Sequence, residues 1–75
     1  MKNATSRYVV CLGNRGYLAS LVVRRLYPVL PDPVAEEHGM LRVVDESGED
    51  YLYPKKMFAA VALPRTVEKR LASAR

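Results

Sequence analysis

The sequence predicts one small, mainly-β domain, a five-stranded barrel over about residues 6–63 with a short helical tail over residues 64–75. Short runs of β-branched and aromatic residues recur along the chain, and clusters of Gly, Pro and polar residues separate them, as expected for strands joined by turns. A chain of 75 residues has room for only one hydrophobic core. Its composition, 49% hydrophobic and 27% charged, is typical of a globular protein rather than a disordered one.

The first two strands are predicted at residues 7–12 and 26–30, with a long loop between them. The first run is apolar at odd and even positions alike, which favours a strand covered on both faces. Gly13 and Gly16 then provide the conformational freedom that a loop needs. In the second run, Pro28 cannot donate a ladder hydrogen bond, so we expect this strand to be exposed on one edge or bulged there.

The middle of the chain predicts a helical turn and a hairpin. Residues 34–38 are suited to one turn of helix, because Gly39 follows where helices commonly end in a left-handed conformation. The strand-like residues 40–44 and 51–53 then flank a polar connection at residues 45–50, which is the clearest hairpin in the chain.

The last third predicts a 3₁₀ turn, a strand and a helix. The turn falls at residues 54–57 and the strand at residues 58–63, and Pro64 opens a segment suited to helix. A narrow apolar stripe repeats there at helical spacing. Its members are Val67, Leu71 and Ala74.

Two segments resemble the Src-homology-3 family. Residues 20–30, Ser-Leu-Val-Val-Arg-Arg-Leu-Tyr-Pro-Val-Leu, resemble the part that crosses the diverging turn into the second strand. Residues 45–58, ending Tyr-Leu-Tyr-Pro-Lys-Lys-Met-Phe, resemble the distal hairpin, the fourth strand and a Pro-containing helical turn. The sequence pattern resembles small bacterial and phage proteins of this type more closely still, and those proteins are mostly uncharacterised. The resemblance implies a barrel in which the first strand pairs with the last.

The resemblance also implies a ligand groove, from which this chain departs at several positions. The eukaryotic modules hold polyproline ligands between aromatic residues, including a Trp that starts the third strand, and use an acidic first loop. Here Met40 and Leu41 start that strand, the loop carries Arg15 and no acid, and Met57 stands where a ligand-facing Tyr would be. These departures argue against a proline-rich ligand. The positions that match the groove are Tyr8, Tyr53 and Pro54.

No set of residues in the sequence indicates catalysis, and we predict neither a cofactor nor a metal. Cys11 lies in an apolar strand, which favours core packing over a reactive thiol. His38 precedes Gly39 and is suited to the end of a helical turn rather than to a one-ligand metal site. The polar hairpin connection is too short for a calcium-binding loop. Its candidate ligands are Asp45, Ser47, Glu49 and Asp50.

The tyrosines are the first candidate for function. Tyr51 and Tyr53 share one face of the fourth strand, so both lie on the surface if Leu52 faces the core. An exposed pair would form an amphipathic contact patch, whereas the alternative is that one Tyr packs over the end of the barrel. The candidate ligand-binding residues are Tyr8, Tyr17, Tyr51, Tyr53, Pro54 and Met57.

The order of the charges is the second candidate. Residues 1–30 carry a net charge of +5, residues 31–51 carry −6 and residues 52–75 carry +5. If the first and last strands pair, the two basic blocks meet and could contact phosphates or an acidic partner; the alternative is a solvated surface. The candidate basic patch comprises Arg7, Arg15, Arg24, Arg25, Lys55 and Lys56.

We therefore predict a non-catalytic binding module, and two classes of partner stay open. The first is a protein-interaction barrel that holds a peptide, a larger protein or another copy of itself. The second is a small nucleic-acid-binding barrel without sequence specificity, which uses its basic side. The polar N-terminus, the absence of a long apolar run and the single cysteine predict a cytoplasmic protein with no membrane partner.

Overall fold

The computed structural model describes residues 7–73 and confirms a small, mainly-β protein. Five antiparallel strands form one sheet, a 3₁₀ turn precedes the last strand, and a helix follows it. The strands are β1 (Arg7–Cys11), β2 (Leu26–Leu30), β3 (Met40–Val44), β4 (Asp50–Pro54) and β5 (Phe58–Val61). The helices are α1 (Pro33–Glu37) and α2 (Arg65–Ser73), and the 3₁₀ turn is Lys55–Met57.

The sheet has the strand order β4-β3-β2-β1-β5, so that β1 pairs with the last strand. In the register of this ladder, Tyr8 lies opposite Val61 and Cys11 lies opposite Phe58. All the other neighbouring strands are consecutive in the chain. The expected pairing of the first strand with the last is therefore present, and it brings the two ends of the sheet-forming segment together.

The core follows the two-residue period of the strands. Tyr27 and Val29 point inward from β2, and Leu41 and Val43 point inward from β3. In β1, Tyr8 and Val9 are both buried, which confirms that this strand is covered on both faces. The buried cluster comprises Val9, Cys11, Leu21, Tyr27, Val29, Leu41, Val43, Tyr53 and Phe58.

Strand β2 is internal to the sheet, but at Pro28 it has no partner on its β3 side, which agrees with the expectation that one edge is open at this residue. Strand β2 runs between β1 and β3, with Pro28 opposite Tyr8. The ladder with β3 pairs only Val29 and Leu30. Pro28 thus lies outside that ladder, which is how an internal strand accommodates a residue that lacks a backbone donor.

Both ends of α1 follow from local sequence. The Asp32 carboxylate accepts a hydrogen bond from the Ala35 backbone N–H at 3.0 Å and caps the helix. Pro33 occupies the first turn, where its missing N–H costs nothing. Gly39 then stops the helix with φ 74°, as predicted.

The C-terminal helix forms as predicted, but its apolar stripe is not covered. In α2, Val67 is 41% exposed and Leu71 is 40% exposed, and no residue of the helix is buried. Ala74, the third member of the predicted stripe, lies outside the described residues. No helix within residues 7–73 has the length and apolar character needed to cross a membrane.

Four strand ends differ from the prediction, because β4 extends one residue beyond residues 51–53 at each end and two other strands end early. Strand β1 ends at Cys11 rather than at residue 12, and β5 ends at Val61 rather than at residue 63. Leu12 has left the sheet and is 59% exposed, although its backbone N–H still donates to the Met57 carbonyl at 2.8 Å. This bond joins the start of the first loop to the 3₁₀ turn.

Candidate functional site

The loop between β1 and β2 is held in place by its own hydrogen bonds. The Tyr17 N–H donates to the Asn14 carbonyl at 2.8 Å, and the Tyr17 carbonyl accepts from the Leu21 N–H at 3.0 Å. The Asn14 side-chain amide closes the loop by donating to the Leu21 carbonyl at 2.9 Å. Leu21 is fully buried and anchors the loop in the core. Tyr17 therefore sits on a fixed turn.

The far end of this loop is tied to the central hairpin. The Tyr27 hydroxyl accepts a hydrogen bond from the Val22 N–H at 2.8 Å and donates one to the Glu46 carboxylate. Burial, together with the bond to Glu46, raises the pKa of Tyr27 to about 12. The hydroxyl is therefore protonated and available as a donor at neutral pH.

An aromatic column supports the Tyr17 ring. Its centroid lies 5.0 Å from that of Tyr53 in an edge-to-face arrangement, and the Tyr53 ring lies 6.1 Å from that of Phe58. Tyr53 and Phe58 are buried, whereas Tyr17 is 38% exposed. Edge-to-face aromatic pairs are favourable beyond the area they bury. The column thus fixes an exposed ring against the core.

A groove runs along one side of Tyr17, and we call it the basic groove. It has a volume of about 480 Å³ and lies between the first loop and the 3₁₀ turn. The Leu12–Met57 backbone bond holds these two walls together. Its lining residues are Leu12, Gly13, Arg15, Tyr17, Pro54, Lys56 and Met57.

The charges at the basic groove have a single sign. Arg15 comes from the loop wall and Lys56 from the wall of the 3₁₀ turn, and both are exposed. Within residues 7–73, neither forms an ion pair, and no acidic residue lines the groove. Two cations beside an apolar floor concentrate positive potential there, because low-dielectric walls focus the field.

A second depression lies on the other side of Tyr17, and we call it the acidic pocket. It measures about 420 Å³, and Asp45 and Tyr51 lie in its wall. Its lining residues are Tyr17, Ser20, Asp45, Ser47, Tyr51, Leu52 and Tyr53.

Asp45 is buried at the acidic pocket and fully engaged by its neighbours. Its carboxylate accepts hydrogen bonds from the Ser47 N–H at 2.8 Å, the Ser47 hydroxyl at 2.6 Å and the Tyr53 hydroxyl at 2.6 Å. Burial alone would raise the pKa of Asp45, but these donors outweigh burial and hold the pKa below its ordinary value. This carboxylate stabilises the hairpin and holds Tyr53 in place.

The structure decides between the two alternatives for β4: one tyrosine packs inside the fold, and Leu52 does not face the core. Leu52 is 43% exposed and Tyr53 is buried, so Tyr53 is the side chain through which this strand contributes to the core. The reason is the buried Asp45 carboxylate, which gives the Tyr53 hydroxyl an acceptor inside the fold. Tyr51 is 50% exposed and lies beside the acidic pocket. The expected surface patch of Tyr51 with Tyr53 does not form.

Of the predicted ligand-binding residues, the basic groove collects Tyr17, Pro54 and Met57. Tyr8 is 7% exposed and belongs to the interior. Sequence reasoning missed Leu12, which it assigned to the first strand. The available signal was its position directly before Gly13, where the chain leaves the sheet.

The residues of the predicted basic patch do not lie together in one patch. Arg7 pairs with Glu36 at 2.7 Å, and Arg25 pairs with Glu46 at 3.1 Å, so the separation of basic and acidic sides is incomplete. Arg24 adopts a left-handed conformation with φ 75° and donates its N–H to the Cys11 carbonyl at 2.7 Å. Of the remaining members, Arg15 and Lys56 line the basic groove, whereas Lys55 lines a separate depression together with Arg7 and Tyr8.

The single cysteine and the single histidine both have structural roles. Cys11 is fully buried, its thiol donates to the Gly13 carbonyl at 3.3 Å, and burial raises its pKa, which disfavours the reactive thiolate. His38 caps the end of α1, with its Nδ1 2.8 Å from the Val34 carbonyl oxygen. In the part of the chain that the structure describes, no three His, Cys, Asp or Glu side chains cluster as metal ligands would.

Comparisons with protein-family models, with curated proteins and with solved structures found no match to this chain. The fold and the site define the class: a small, mainly-β antiparallel protein with an aromatic-walled groove rimmed by two cations.

Proposed function

We propose that this chain is a non-catalytic binding module, a small Src-homology-3-like barrel that holds a protein or peptide partner in the basic groove. The proposal rests chiefly on one observation: Leu12 and Tyr17 are exposed beside Met57 although the surrounding structure holds them in place. Fixed, exposed apolar and aromatic side chains in a concave site are typical of protein-binding surfaces, because little entropy is lost when they are covered.

The barrel part of the proposal is supported by topology. The ladder of β1 with β5, the central hairpin β3–β4 and the 3₁₀ turn before the last strand occur in the order that the family resemblance implies. Burial of β1 on both faces is consistent with a sheet that curls around its core.

The absence of catalysis is proposed from the groove lining. Among the described residues, those that line the basic groove include no His, Cys, Asp, Glu or Ser. Tyr17 and Lys56 are the lining side chains that could take part in acid–base or nucleophilic chemistry, and the lining places no carboxylate, imidazole or thiol beside either. The groove is instead suited to covering apolar and charged groups of a partner.

Selection from a random peptide library displayed on phage would test this function. We expect selected peptides to shift the backbone amide resonances of residues 12–17 and 55–57 in ¹⁵N-labelled protein. Tyr17→Ala should weaken their binding at least tenfold, or about 1.4 kcal/mol, because it removes one groove wall. Tyr51→Ala is the matched control, since it removes an exposed ring on the other side of Tyr17. Selected peptides that bind elsewhere, or that tolerate Tyr17→Ala, would contradict the proposal.

Nucleic acid is the second candidate, favoured by the exposed Tyr17 ring in a groove that Arg15 and Lys56 also line. Such a ring can stack on an unpaired base while cations contact phosphates. Single-stranded oligonucleotides titrated at about 50 and 200 mM salt would test it, since binding through phosphates weakens steeply with salt. Absence of binding at the lower salt concentration would eliminate this candidate.

A further inference from the structure

We propose that the basic groove is specific for an acidic ligand: an extended peptide segment in which carboxylate side chains flank one or two apolar side chains. The inference rests on the proposed function of the groove as a protein-binding site and names the chemistry of its partner.

The first step is the position of the two cations. Arg15 follows Leu12 by three residues in the loop wall, and Lys56 immediately precedes Met57 in the 3₁₀ turn. The Leu12 N–H and the Met57 carbonyl are hydrogen-bonded at 2.8 Å, so the two apolar side chains stand at the junction of the walls. A ligand side chain seated on Leu12 and Met57 therefore lies in a groove that is lined by one cation from each wall.

The second step is that the protein leaves these cations without an internal partner. Within residues 7–73, Arg7, Arg25 and Arg42 form ion pairs with carboxylates, whereas Arg15 and Lys56 are among the basic residues that form none. Most of the chain's carboxylates are engaged elsewhere. Asp32 and Asp50 bind Arg42, Glu36 binds Arg7, Glu46 binds Arg25, and Asp45 accepts from Tyr53.

The third step is the effect of a covering ligand. A neutral peptide would remove water from Arg15 and Lys56 without supplying a negatively charged partner in its place. A basic peptide would in addition repel both cations. A peptide that carries Asp or Glu on both sides of its apolar residue supplies a partner for each cation. Charge complementarity thus selects among peptides that fit the apolar floor equally well.

The fourth step separates a peptide from a nucleic acid. Leu12, Pro54 and Met57 form an apolar floor that phosphates and sugars would leave uncovered. Leu12 alone is 59% exposed, and an apolar side chain seated on it is favourable because apolar surface is removed from water. An acidic peptide with an apolar centre satisfies both the floor and the rim.

Fluorescence anisotropy with four synthetic peptides tests the inference on the full chain. The probes are Glu-Asp-Leu-Leu-Asp-Glu, its neutral counterpart Gln-Asn-Leu-Leu-Asn-Gln, its basic counterpart Lys-Arg-Leu-Leu-Arg-Lys, and Glu-Asp-Gly-Ser-Asp-Glu, which lacks the apolar centre. We expect the first to bind at least tenfold more tightly than each of the others at about 50 mM salt. Its affinity should fall at about 200 mM salt, because exposed charge pairs are screened.

Charge reversal provides the decisive variant. In the double variant R15E/K56E, we expect the acidic peptide to lose at least tenfold in affinity and the basic peptide to gain. The matched control is R65E/K69E on α2, which changes the net charge equally at residues that do not line the groove and should leave both affinities within about twofold. All four substituted side chains are on the surface, and circular dichroism checks that both variants fold.

The outcomes separate this inference from the proposed function. Equal binding of the neutral and acidic peptides, with both weakened by Tyr17→Ala, overturns the acidic specificity and leaves the groove as a peptide site. A Kd above about 1 mM for the acidic peptide also overturns the inference. The peptide-library selection tests independently whether the groove binds peptides at all. A thymidine oligonucleotide that binds more tightly than the acidic peptide, and that no longer binds to R15E/K56E, would overturn the inference. Arg15 and Lys56 would then be contacts for nucleic acid rather than for a peptide.

Discussion

The two depressions on either side of Tyr17 share an aromatic wall and differ in how their charges are used. In the acidic pocket, the Asp45 carboxylate is buried and accepts hydrogen bonds from Ser47 and Tyr53. In the basic groove, Arg15 and Lys56 are exposed and, among the described residues, have no carboxylate partner.

This difference separates stabilising charges from charges available to a ligand. A buried carboxylate with its donors in place contributes to the fold, and replacing any partner leaves an unsatisfied group. Exposed cations beside an apolar floor contribute little to the stability of the fold, but they stabilise a complex when a partner of opposite charge covers them. Substitutions in the acidic pocket should therefore change stability first, and substitutions in the basic groove should change binding first.

The largest expected effect on stability comes from Tyr53→Ala, which removes the middle ring of the aromatic column. We expect the free energy of unfolding to fall by about 3–5 kcal/mol, because truncating a buried aromatic leaves a cavity. Urea denaturation measures this change. Tyr51→Ala, at an exposed tyrosine of the same strand, should cost less than about 1 kcal/mol. Equal losses for the two variants would contradict the burial of Tyr53 in the core.

Asp45→Asn should have the next largest effect and should depend on pH. We expect a loss of about 1–3 kcal/mol at neutral pH, because the charged acceptor of the Ser47 and Tyr53 donors is removed.

The sign of the pH dependence follows from the lowered pKa of Asp45. The unfolded chain, where the ordinary pKa is 3.8, binds a proton more readily than the folded protein does. The stabilisation is therefore present above this value and is lost as the pH falls through the lower folded pKa. Denaturation at a series of acidic pH values should show the wild type and Asp45→Asn converging, and a constant gap would contradict the assignment.

Tyr17→Ala should separate binding from stability. Its ring is 38% exposed and is supported by Tyr53 rather than supporting it, so we expect the free energy of unfolding to fall by about 1 kcal/mol or less. Peptide affinity should fall at least tenfold in the same variant. Thermal denaturation combined with anisotropy measures both quantities. A variant that loses several kcal/mol of stability would place Tyr17 in the core instead.

The smallest effect is expected for Leu52→Ala. Because Leu52 is 43% exposed on the outer face of β4, we expect it to cost less than about 1 kcal/mol, far below Tyr53→Ala in the same strand. Chemical denaturation of the two variants side by side tests the orientation of β4 directly. If Leu52→Ala lost as much stability as Tyr53→Ala, the outward orientation of Leu52 in β4 would be contradicted.

Local signals predicted most of the elements. Strand β2 falls at its predicted residues, because Leu26–Leu30 is a short β-prone run bounded by a break in the pattern and a Pro turn. The capped turn of α1 and the 3₁₀ turn follow from Pro, Asp and Gly at suitable offsets. These features depend on residues close in sequence, which periodicity and turn chemistry can identify.

The groove and the face of β4 depend on contacts between distant residues. In Tyr51-Leu52-Tyr53 either face is apolar enough to be buried, and the bond from Tyr53 to Asp45 decides between them. The groove forms only when the Leu12 N–H meets the Met57 carbonyl. The ion pairs that occupy Arg7 and Arg25 also join residues far apart in the sequence. The sequence pattern contains no local signal for any of these contacts.

The ladder between β1 and β5 also has a consequence for the order of folding. The β3–β4 hairpin joins nearby residues and can form within about 10 μs, whereas the pairing of Tyr8 with Val61 must close nearly the whole described chain. The Leu12–Met57 bond continues from this late-forming ladder, so we expect the groove to be completed in the last steps of folding. Hydrogen exchange at the Leu12 amide would therefore report how often the groove opens, and a partner that binds there should slow that exchange while leaving the hairpin amides unchanged.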